Sequence, residues 1–438
     1  MRHFSAPPIP TDSTPAVNVY TGGMAQAHRW LLTRDFSLMW WSQVLSQVAE
    51  GISKLALLWF VYAVTGSPLK TTVIGLLQTL PPILFGPFIG VIVDRFPKKT
   101  ILIASDVARG VLIGLIPCLV SVEHFTVGSL YLLTFLYGVA TAVFVPTLSS
   151  AIPFMVTRPQ FTAANALLQS TTSLGIIIGP AVSGLGIAFA GSQDVLCLNA
   201  MTYFASAACL LPIRLRVTEA TTADGDGWRP FIRHLLEGIR YAFLTHRTVL
   251  MLIVLASVYT FGSGAFTTLF PVFGRHLLGL GPVEVGYLWS WLGVGLLLSS
   301  IGLIRMSGWD LSQRISVITL SCALAGLALL GLTWTDDLRL AAVLVGCIGI
   351  GFGAWTPIAW GIIQEVAPAG MVGRVMAVYT ASATATSMLG MSAFGWVAES
   401  FGSVASIIGI SGVMCVLAGG SAWFGKKIGV AKIEKADV

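Results

Sequence analysis

Apolar residues fill twelve long runs along the chain, and short polar turns separate them. A helix that crosses a bilayer needs about 20 apolar residues, which is close to the length of each run. The runs lie near residues 36–63, 72–93, 100–120, 128–150, 163–190, 195–213, 248–270, 284–304, 313–333, 338–363, 374–396 and 403–424. The pattern therefore predicts an all-α membrane protein with twelve transmembrane helices. Only a turn at residues 191–194 separates the fifth helix from the sixth.

The two halves of the chain show a weak internal repeat. The identical pairs, 211 residues apart, are Gly138 and Gly349, Pro146 and Pro357, Ile152 and Ile363, and Ala166 and Ala377. Together with a polar segment between the sixth and seventh runs, they predict two pseudo-symmetric six-helix bundles. We expect a disordered cytoplasmic tail (1–30), an N-terminal bundle (31–213), a cytoplasmic linker (214–247), a C-terminal bundle (248–425) and a second tail (426–438). Translation could start at Met1 or at Met24.

Basic residues favour one set of loops between the predicted helices. One side holds thirteen of them and the other side holds three, Lys70, Arg275 and Arg339. Lys and Arg are enriched in cytoplasmic loops. The distribution predicts a protein of the inner (cytoplasmic) membrane with both termini in the cytoplasm.

Composition excludes several other classes of protein. The chain is 55% hydrophobic and 10% charged, whereas soluble domains carry about 25% charged residues. Its six cysteines lie in apolar runs without metal-ligand spacing, and no nucleotide-binding loop occurs. We therefore expect no metal and no cofactor. The basic residues of the loops account for the net charge of +6, so we expect membrane lipids rather than nucleic acid as partners. We also expect a monomer.

The linker ends in a segment with amphipathic spacing. Phe231, Leu235, Ile239 and Phe243 recur every four residues, which is typical of a helix that lies on a membrane surface. It is interpreted as a strut between the halves, with a regulatory site as the alternative.

A charged turn follows the second run. Gly90 precedes Asp94 and Arg95 by one helical turn, and Lys98 follows Pro97, which ends the helix. From the residues alone, the turn is either a basic anchor on the cytoplasmic side or a contact between helices.

The loop G-V-I-V-D-R-F-P-K-K, residues 90–99, resembles the signature loop G-x-x-x-D-R-x-x-[RK]-[RK] of the major facilitator superfamily. The segments P-T-L-S-S-A-I-P-F-M-V…A-A-N-A-L, L-N-A-M-T-Y-F and I-I-Q-E-V-A-P-A-G-M-V-G-R-V-M-A resemble its drug and siderophore exporters. The resemblance covers about residues 30–425 and implies the major facilitator fold. It also implies that Asp94 forms a conformational latch with the helix that begins near Arg374. The second half lacks this aspartate, since Arg305 stands at the equivalent position.

The fifth run contains small residues at helical spacing. Gly175, Gly179, Pro180 and Gly184 resemble the antiporter motif of exporters, with Ala166 and Ser183 in place of two glycines. Such residues let helices approach closely, so the motif predicts either a packing surface or antiport.

Charged residues inside the runs indicate function, because each is costly in lipid unless paired or hydrated. Glu50 and Lys54 are four residues apart and share a helix face, with Glu50 about 21 Å from the cytoplasmic start of its helix. Glu50 could bind a proton or a cationic substrate, or the two could form a static pair facing the pore. Gln47 and Gln364 are candidate neighbours in this site.

A second pair of charges, Asp106 and Arg109, is three residues apart in the third run. It is interpreted as a structural pair at the cytoplasmic mouth. Exporters of the family often use an arginine in span four for proton coupling, and the run L-T-F-L-Y-G-V-A-T-A-V-F lacks one.

These observations predict a secondary active transporter and not an enzyme. The resemblance implies proton-coupled efflux of hydrophobic or amphipathic small molecules, such as drugs or siderophores, by alternating access. The alternative is a transporter or flippase of lysolipids or similar lipids. A membrane-embedded enzyme is a third hypothesis, although no histidine lies in any predicted span.

Overall fold

Within the residues that the structure describes, there are twelve long α-helices, one for each apolar run. The computed structural model describes residues 34–121, 126–156, 161–214, 237, 239–245, 247–304, 309–367 and 371–436. The helices are α1 (Arg34–Thr65), α2 (Pro68–Arg95), α3 (Lys98–Ser121), α4 (Val127–Ala151), α5 (Phe161–Ala190), α6 (Ser192–Leu210), α7 (Arg247–Leu277), α8 (Pro282–Ile304), α9 (Leu311–Gly331), α10 (Leu338–Val366), α11 (Val372–Phe401) and α12 (Ser403–Ala436). Within these ranges, nine helices are long and apolar enough to cross a membrane: α1, α3, α4, α5, α7, α8, α9, α10 and α12.

Local chemistry sets several helix ends. The Ser67 hydroxyl accepts from the Lys70 backbone N–H at the start of α2, and Pro68 occupies the first helical position. The Lys98 ammonium donates to the Val93 carbonyl near the end of α2, where a helix favours positive charge. Helix α12 ends at Ala436, eleven residues beyond the predicted limit of the bundle. Its last turns contain no proline and are rich in Lys and Ala, so the helix continues after the apolar run has ended.

The two halves repeat the same arrangement. In the first half α1 packs against α5 and α6, and α2 packs against α4; in the second half α7 packs against α11 and α12, and α8 against α10. The fourth, fifth and sixth helices of each half begin 211 residues apart. Gly191 and Gly402, each the single residue between the fifth and sixth helices of its half, have φ of 89° and 88°. This left-handed conformation is open to glycine, so the repeat extends to the turns.

Glycines bring α1 and α5 into backbone contact. A Cβ atom on Gly179 would lie 2.6 Å from the Gly51 Cα, and one on Gly175 would lie 2.5 Å from the Gln47 carbonyl oxygen. Between membrane helices, where the lipid is as apolar as the side chains, such close packing provides much of the attraction. The predicted packing motif therefore fastens α5 to the helix that carries Glu50.

The same motif also joins the two halves. A Cβ on Gly184 of α5 would lie 2.4 Å from the Pro282 carbonyl oxygen of α8, and one on Gly286 would lie 2.5 Å from the Pro180 carbonyl oxygen. Because α5 begins and α8 ends at the end of the bundle that carries Arg95 and Lys98, this contact lies toward the other end. We call the end that carries Arg95 and Lys98 the basic end, and the other end the opposite end.

Only part of the predicted linker helix lies in the described region. Phe231 and Leu235 fall outside it, whereas residues Tyr241–Thr245 form a π-helical turn that leads into α7. Ile239 and Phe243 are exposed, as an amphipathic surface segment requires.

Replacing Gly179 with valine should destabilise the protein. The added side chain has no space against Gly51, and overpacking of this kind costs about 1–3 kcal/mol. Thermal unfolding of the purified protein would measure the loss. Gly86→Val is the matched control, because a Cβ at Gly86 meets no described atom within 4 Å. Equal losses in the two variants would contradict the packing role.

Candidate functional site

A water-accessible cavity lies between the two halves. Its first chamber, of about 210 Å³, is lined from α1, α2 and α4 on one half and from α7 and α11 on the other. The lining residues are Glu50, Lys54, Leu58, Gly75, Gln78, Thr79, Tyr137, Gly138, Thr141, Thr267, Thr268 and Met391. Within this lining, Glu50 and Lys54 are the charged side chains, and both come from α1.

The second chamber, of about 270 Å³, belongs mainly to the C-terminal half. It shares Thr79 with the first chamber. Its lining residues are Thr79, Thr260, Trp355, Thr356, Trp360, Tyr379, Thr380, Ala383, Thr384 and Ser387. The chamber therefore combines hydroxyl groups with aromatic rings and contains no charged lining residue.

A fixed aromatic stack forms the wall of the second chamber. Tyr259 of α7 stacks on Trp355 of α10 with centroids 5.3 Å apart, and Trp355 Nε1 donates to the Tyr379 hydroxyl of α11 at 3.1 Å. Trp355 is fully buried, whereas Trp360, five residues later, is 41% exposed. The stack joins three helices, and Trp360 is the tryptophan ring that the chamber presents to a ligand.

Glu50 and Lys54 face the same chamber without forming a contact pair in this conformation. Glu50 is half-buried, and among the described residues no ion pair within 4.0 Å involves it. The Lys54 ammonium instead lies 5.9 Å from the centroid of Trp289, a ring of α8 in the other half. At this distance a cation is attracted to the face of an indole. Both charges are thus available to water and ligands in the cavity.

The cavity is closed at the opposite end by a polar contact between α11 and α2. The Glu399 carboxylate accepts from the Ser67 hydroxyl at 2.7 Å and from the Leu69 backbone N–H at 3.2 Å. The carboxylate thus satisfies a free N–H group at the start of α2, where a helix favours negative charge. The side chains of Thr72 and Thr268 extend this contact, since a Cβ on Gly395 or Gly75 would meet them within 3 Å.

A second closing contact at this end involves aromatic rings of α1. The Arg275 guanidinium of α7 lies 5.6 Å from the Trp59 ring and 5.9 Å from the Tyr62 ring. His276 also contacts Tyr62, with ring centroids 5.6 Å apart. The two halves are therefore held together at the opposite end by charged and aromatic side chains.

Toward the basic end, the faces that line the cavity diverge. On α2, Gly86 and Gly90 continue the stripe of Gly75 and Thr79, and a Cβ on either would meet no described atom within 4 Å. The same holds for Gly373 on α11, two turns before the lining residue Thr380. Because these glycines lie on the same helix faces as the lining residues, we infer that the cavity opens toward the basic end.

The residues of the predicted latch do not meet in the described part of this open face. The side chain of Asp94 lies outside the described residues, and Arg95 is exposed. Lys98 donates to the Val93 carbonyl at the end of α2. Arg374 forms an ion pair with Glu237 of the linker, a contact that the linker sequence did not predict. In this conformation the linker carboxylate is a partner of Arg374.

Asp106 and Arg109 form an ion pair, but not at the mouth of the cavity as predicted. Both side chains are fully buried inside the N-terminal half. The carboxylate also accepts from the Ser206 hydroxyl at 2.7 Å, and Arg109 Nη2 donates to the Ser46 hydroxyl at 2.9 Å. The correction follows from helix packing, because α6 packs against α3 and supplies Ser206, and the Ser46 side chain of α1 reaches the same ion pair.

The two predicted glutamine neighbours of Glu50 are not among the residues that line its chamber. Gln47 contacts Gly175 through its backbone and Cβ, which places it at the α1–α5 contact. Gln364 is exposed two residues before the end of α10, toward the basic end. The structure does not bring either into the lining of the charged chamber.

The sequence did not predict several residues of the site. Tyr137 lines the charged chamber and bonds to Tyr203 at 2.7 Å, and Glu399 closes the opposite end. The tyrosines occur singly in apolar runs, which offers no periodic signal. The serines of α1, at positions 42, 46 and 53, do follow helical spacing and could have indicated a polar internal face.

Comparison with known proteins agrees with this architecture. The model of the Major Facilitator Superfamily matches residues 39–391. Macrolide efflux protein A of Streptococcus pyogenes is 23% identical over 80% of this chain and 86% of its own length. Multidrug efflux pump Tap of Mycolicibacterium fortuitum is 26% identical over 84% of this chain and 90% of its own length. These relatives confirm the predicted resemblance to exporters.

A solved structure shares the fold. The crystal structure of a bacterial homolog to the human lysosomal transporter Spinster, in an inward-facing and unoccupied conformation, superimposes with a TM-score of 0.69. It is 13% identical and covers 89% of this chain and 96% of its own. The predicted fold class, twelve transmembrane helices in two six-helix bundles, is confirmed.

Replacing Glu399 with alanine should loosen closure at the opposite end. Loss of a charged helix cap costs about 1 kcal/mol, so the population open at this end should rise about fivefold. The measurement is the rate at which an impermeant thiol reagent, added from the opposite side, labels a cysteine at Gln78. The three exposed native cysteines of the described residues, Cys118, Cys197 and Cys415, must first be replaced by serine.

Glu284→Ala provides the matched control, because this carboxylate lies in the first turn of α8 at the same end. An unchanged labelling rate in Glu399→Ala, or an equal increase in the control, would contradict the closing role.

Proposed function

The chain belongs to the major facilitator superfamily, and we propose that it exports amphipathic small molecules from the cell in exchange for protons. The observation that carries the proposal is the cavity between the two halves. It opens toward the basic end, is closed at the opposite end and contains the two charges of α1. A cavity that opens on one side at a time, around charges near mid-membrane, is what an alternating-access transporter requires.

The side to which the cavity opens indicates from where this conformation receives substrate. Because basic residues mark the cytoplasmic side, the basic end faces the cytoplasm and both termini lie there. The protein would then be a monomer in the inner membrane, receiving substrate from the cytoplasm. The names of the relatives, a macrolide efflux protein and a multidrug efflux pump, support export over import.

The lining of the two chambers supports an amphipathic substrate. Trp360 offers an aromatic face, and the hydroxyls of Thr356, Thr380 and Ser387 offer hydrogen bonds. Pockets that combine apolar rings with a few polar groups bind drug-sized molecules. The Glu50 carboxylate of the adjoining chamber then attracts a cationic group of the substrate.

Glu50 is the proposed proton site. A carboxylate exposed to the cavity binds either a proton or a cationic substrate, so the two compete, as exchange requires. Lys54 lies on the same helix face and offsets the charge of Glu50 when neither ligand is bound. The proposal includes no covalent chemistry, so the protein acts as a transporter and not as an enzyme.

Export requires the two halves to rock about the central site. The contacts of Glu399 with Ser67 and of Arg275 with Trp59 and Tyr62 would break while the basic end closes. In the form that is closed at the basic end, we propose that Asp94 contacts Arg374 at the start of α11. Arg374 would then leave Glu237 and pair with Asp94. Gly90 would then allow close approach of α2 and α11.

Glu50→Gln should abolish transport driven by a pH gradient. The neutral amide cannot exchange a proton, so only equilibration down the substrate gradient should remain. The test uses the purified protein in liposomes, with ethidium as the fluorescent cation and an imposed pH gradient. Glu365→Gln is the control, because Glu365 is an exposed carboxylate paired with Arg314. Full proton-driven transport by Glu50→Gln would overturn the proposed coupling.

Trp360→Ala should weaken ethidium transport about threefold to tenfold, since a cation stacked on an aromatic ring gains about 0.5–1.5 kcal/mol. The half-saturating ethidium concentration in the same liposomes measures the effect. Trp334→Ala serves as control, because Trp334 is 83% exposed and lies after α9, outside the cavity lining. Equal effects of both substitutions would argue against the aromatic subsite.

A further inference from the structure

Arg109 is a buried guanidinium that is only partly satisfied. Its Nη2 donates to Asp106 and to Ser46, whereas its Nε and Nη1 have no hydrogen-bond partner in the described part of the chain. Asp106 accepts from three donors, Arg109, Ser46 and Ser206. The carboxylate of Asp106 is therefore well supplied with hydrogen-bond donors, whereas the guanidinium of Arg109 lacks acceptors for two of its nitrogens.

The unsatisfied side of Arg109 lies among aromatic rings. Its guanidinium carbon is 4.2 Å from the Phe144 centroid and 4.7 Å from the Tyr203 centroid. Ring faces stabilise the positive charge without taking up the in-plane N–H groups. In a bidentate ion pair, two parallel hydrogen bonds bring the carboxylate close to the whole guanidinium and offset most of its charge. Arg109 makes one hydrogen bond to Asp106, so more of its positive field extends beyond the pair.

A short hydrogen-bonded connection leads from Arg109 to the cavity. Tyr203 contacts Arg109 through its ring and Tyr137 through its hydroxyl, at 2.7 Å. Tyr137 lines the charged chamber together with Glu50. Glu50 therefore lies beyond this tyrosine pair, in the chamber that Tyr137 lines.

The other side of the ion pair is covered by apolar residues. Phe36, Met39, Leu102 and Leu148 belong to one buried cluster with Phe144, the ring that Arg109 contacts. Water screens little across such a cluster, and a low dielectric strengthens the interaction between charges. The cavity is thus the side on which the field of Arg109 meets a titratable group.

We propose that Arg109 is a positioning residue for proton exchange, a fixed positive charge that sets the proton affinity of Glu50 from behind the cavity wall. The proposal rests on Glu50 as the proton site proposed above. Asp106 holds Arg109 in place and reduces its field, and the two tyrosines separate the pair from the cavity.

Other charged and titratable groups face Glu50 and belong to the same balance. Lys54 lies on its own helix, Tyr137 on α4 and Tyr203 on α6, while Asp106 and Arg109 lie on α3. The residues lining the chamber from the C-terminal half, Thr267, Thr268 and Met391, are uncharged. A variant of the ion pair therefore changes the field at Glu50 with its direct neighbours retained.

The experiment is an infrared pH titration of the full-length protein in lipid bilayers without substrate. The band of a protonated carboxyl group is assigned to Glu50 by its loss in Glu50→Gln. Its midpoint is then compared in wild type, Arg109→Gln, Asp106→Asn and the double variant. Arg109→Lys keeps the positive charge, and Tyr203→Phe keeps the ring while it removes the hydroxyl.

The charge variants should move the midpoint in opposite directions. Without the Arg109 charge, ionised Glu50 loses a favourable partner, so its protonation should move to higher pH by about one unit. Without the Asp106 charge, the midpoint should move to lower pH. The double variant removes both charges and should titrate between wild type and Arg109→Gln, because the net positive field of the pair is lost. Arg109→Lys should titrate near wild type, and Tyr203→Phe, which retains both charges, should move the midpoint less than Arg109→Gln.

A purely structural role would not give opposite shifts that offset one another in the double variant. An unchanged midpoint in Asp106→Asn and Arg109→Gln, with the Glu50 band present, would overturn this inference and leave the proposed function intact. If Arg109→Gln does not fold, Asp106→Asn and Arg109→Lys decide the question alone. If no band depends on Glu50, the proton site itself is wrong, and both proposals fail.

Discussion

A charge inside a membrane protein must meet either water or an opposite charge, and this constraint organises the molecule. Transfer of an unpaired charge into hydrocarbon is among the largest energetic penalties a helix can carry. Glu50 and Lys54 meet it by facing the cavity, and Asp106 and Arg109 meet it by pairing inside a half. The position of each charge thus separates the parts of the protein that must contact water from those that remain dry.

Close helix packing makes this separation possible. Gly175 and Gly179 hold α1 against α5 with almost no space between the backbones. Helix α1 therefore cannot rotate its polar face toward lipid, and its charges stay directed at α3, α4 and the cavity. The same helix α5 reaches across to α8, so a single helix fixes the charged face and joins the halves.

Much of the fold was predictable because membrane helices are long and their turns are short. All twelve apolar runs became helices, and the tight turn at Gly191 was recognisable. The depth of Asp106 and Arg109 was not, because burial there depends on Ser46 and Ser206, which lie far away in sequence. For the same reason, the contact of Glu399 with Ser67, 332 residues apart, left no local pattern. Glu50 was identifiable only because a carboxylate is rare in an apolar run.

The two halves of the cavity differ in chemistry although they repeat the same fold. The charged lining residues come from α1, whereas the chamber of the C-terminal half is lined by rings and hydroxyls without charge. After a duplication, natural selection can therefore alter the two halves separately. Substitutions around Trp360 can broaden or shift the range of compounds carried in a population, while the half that contains the proposed proton site remains unchanged.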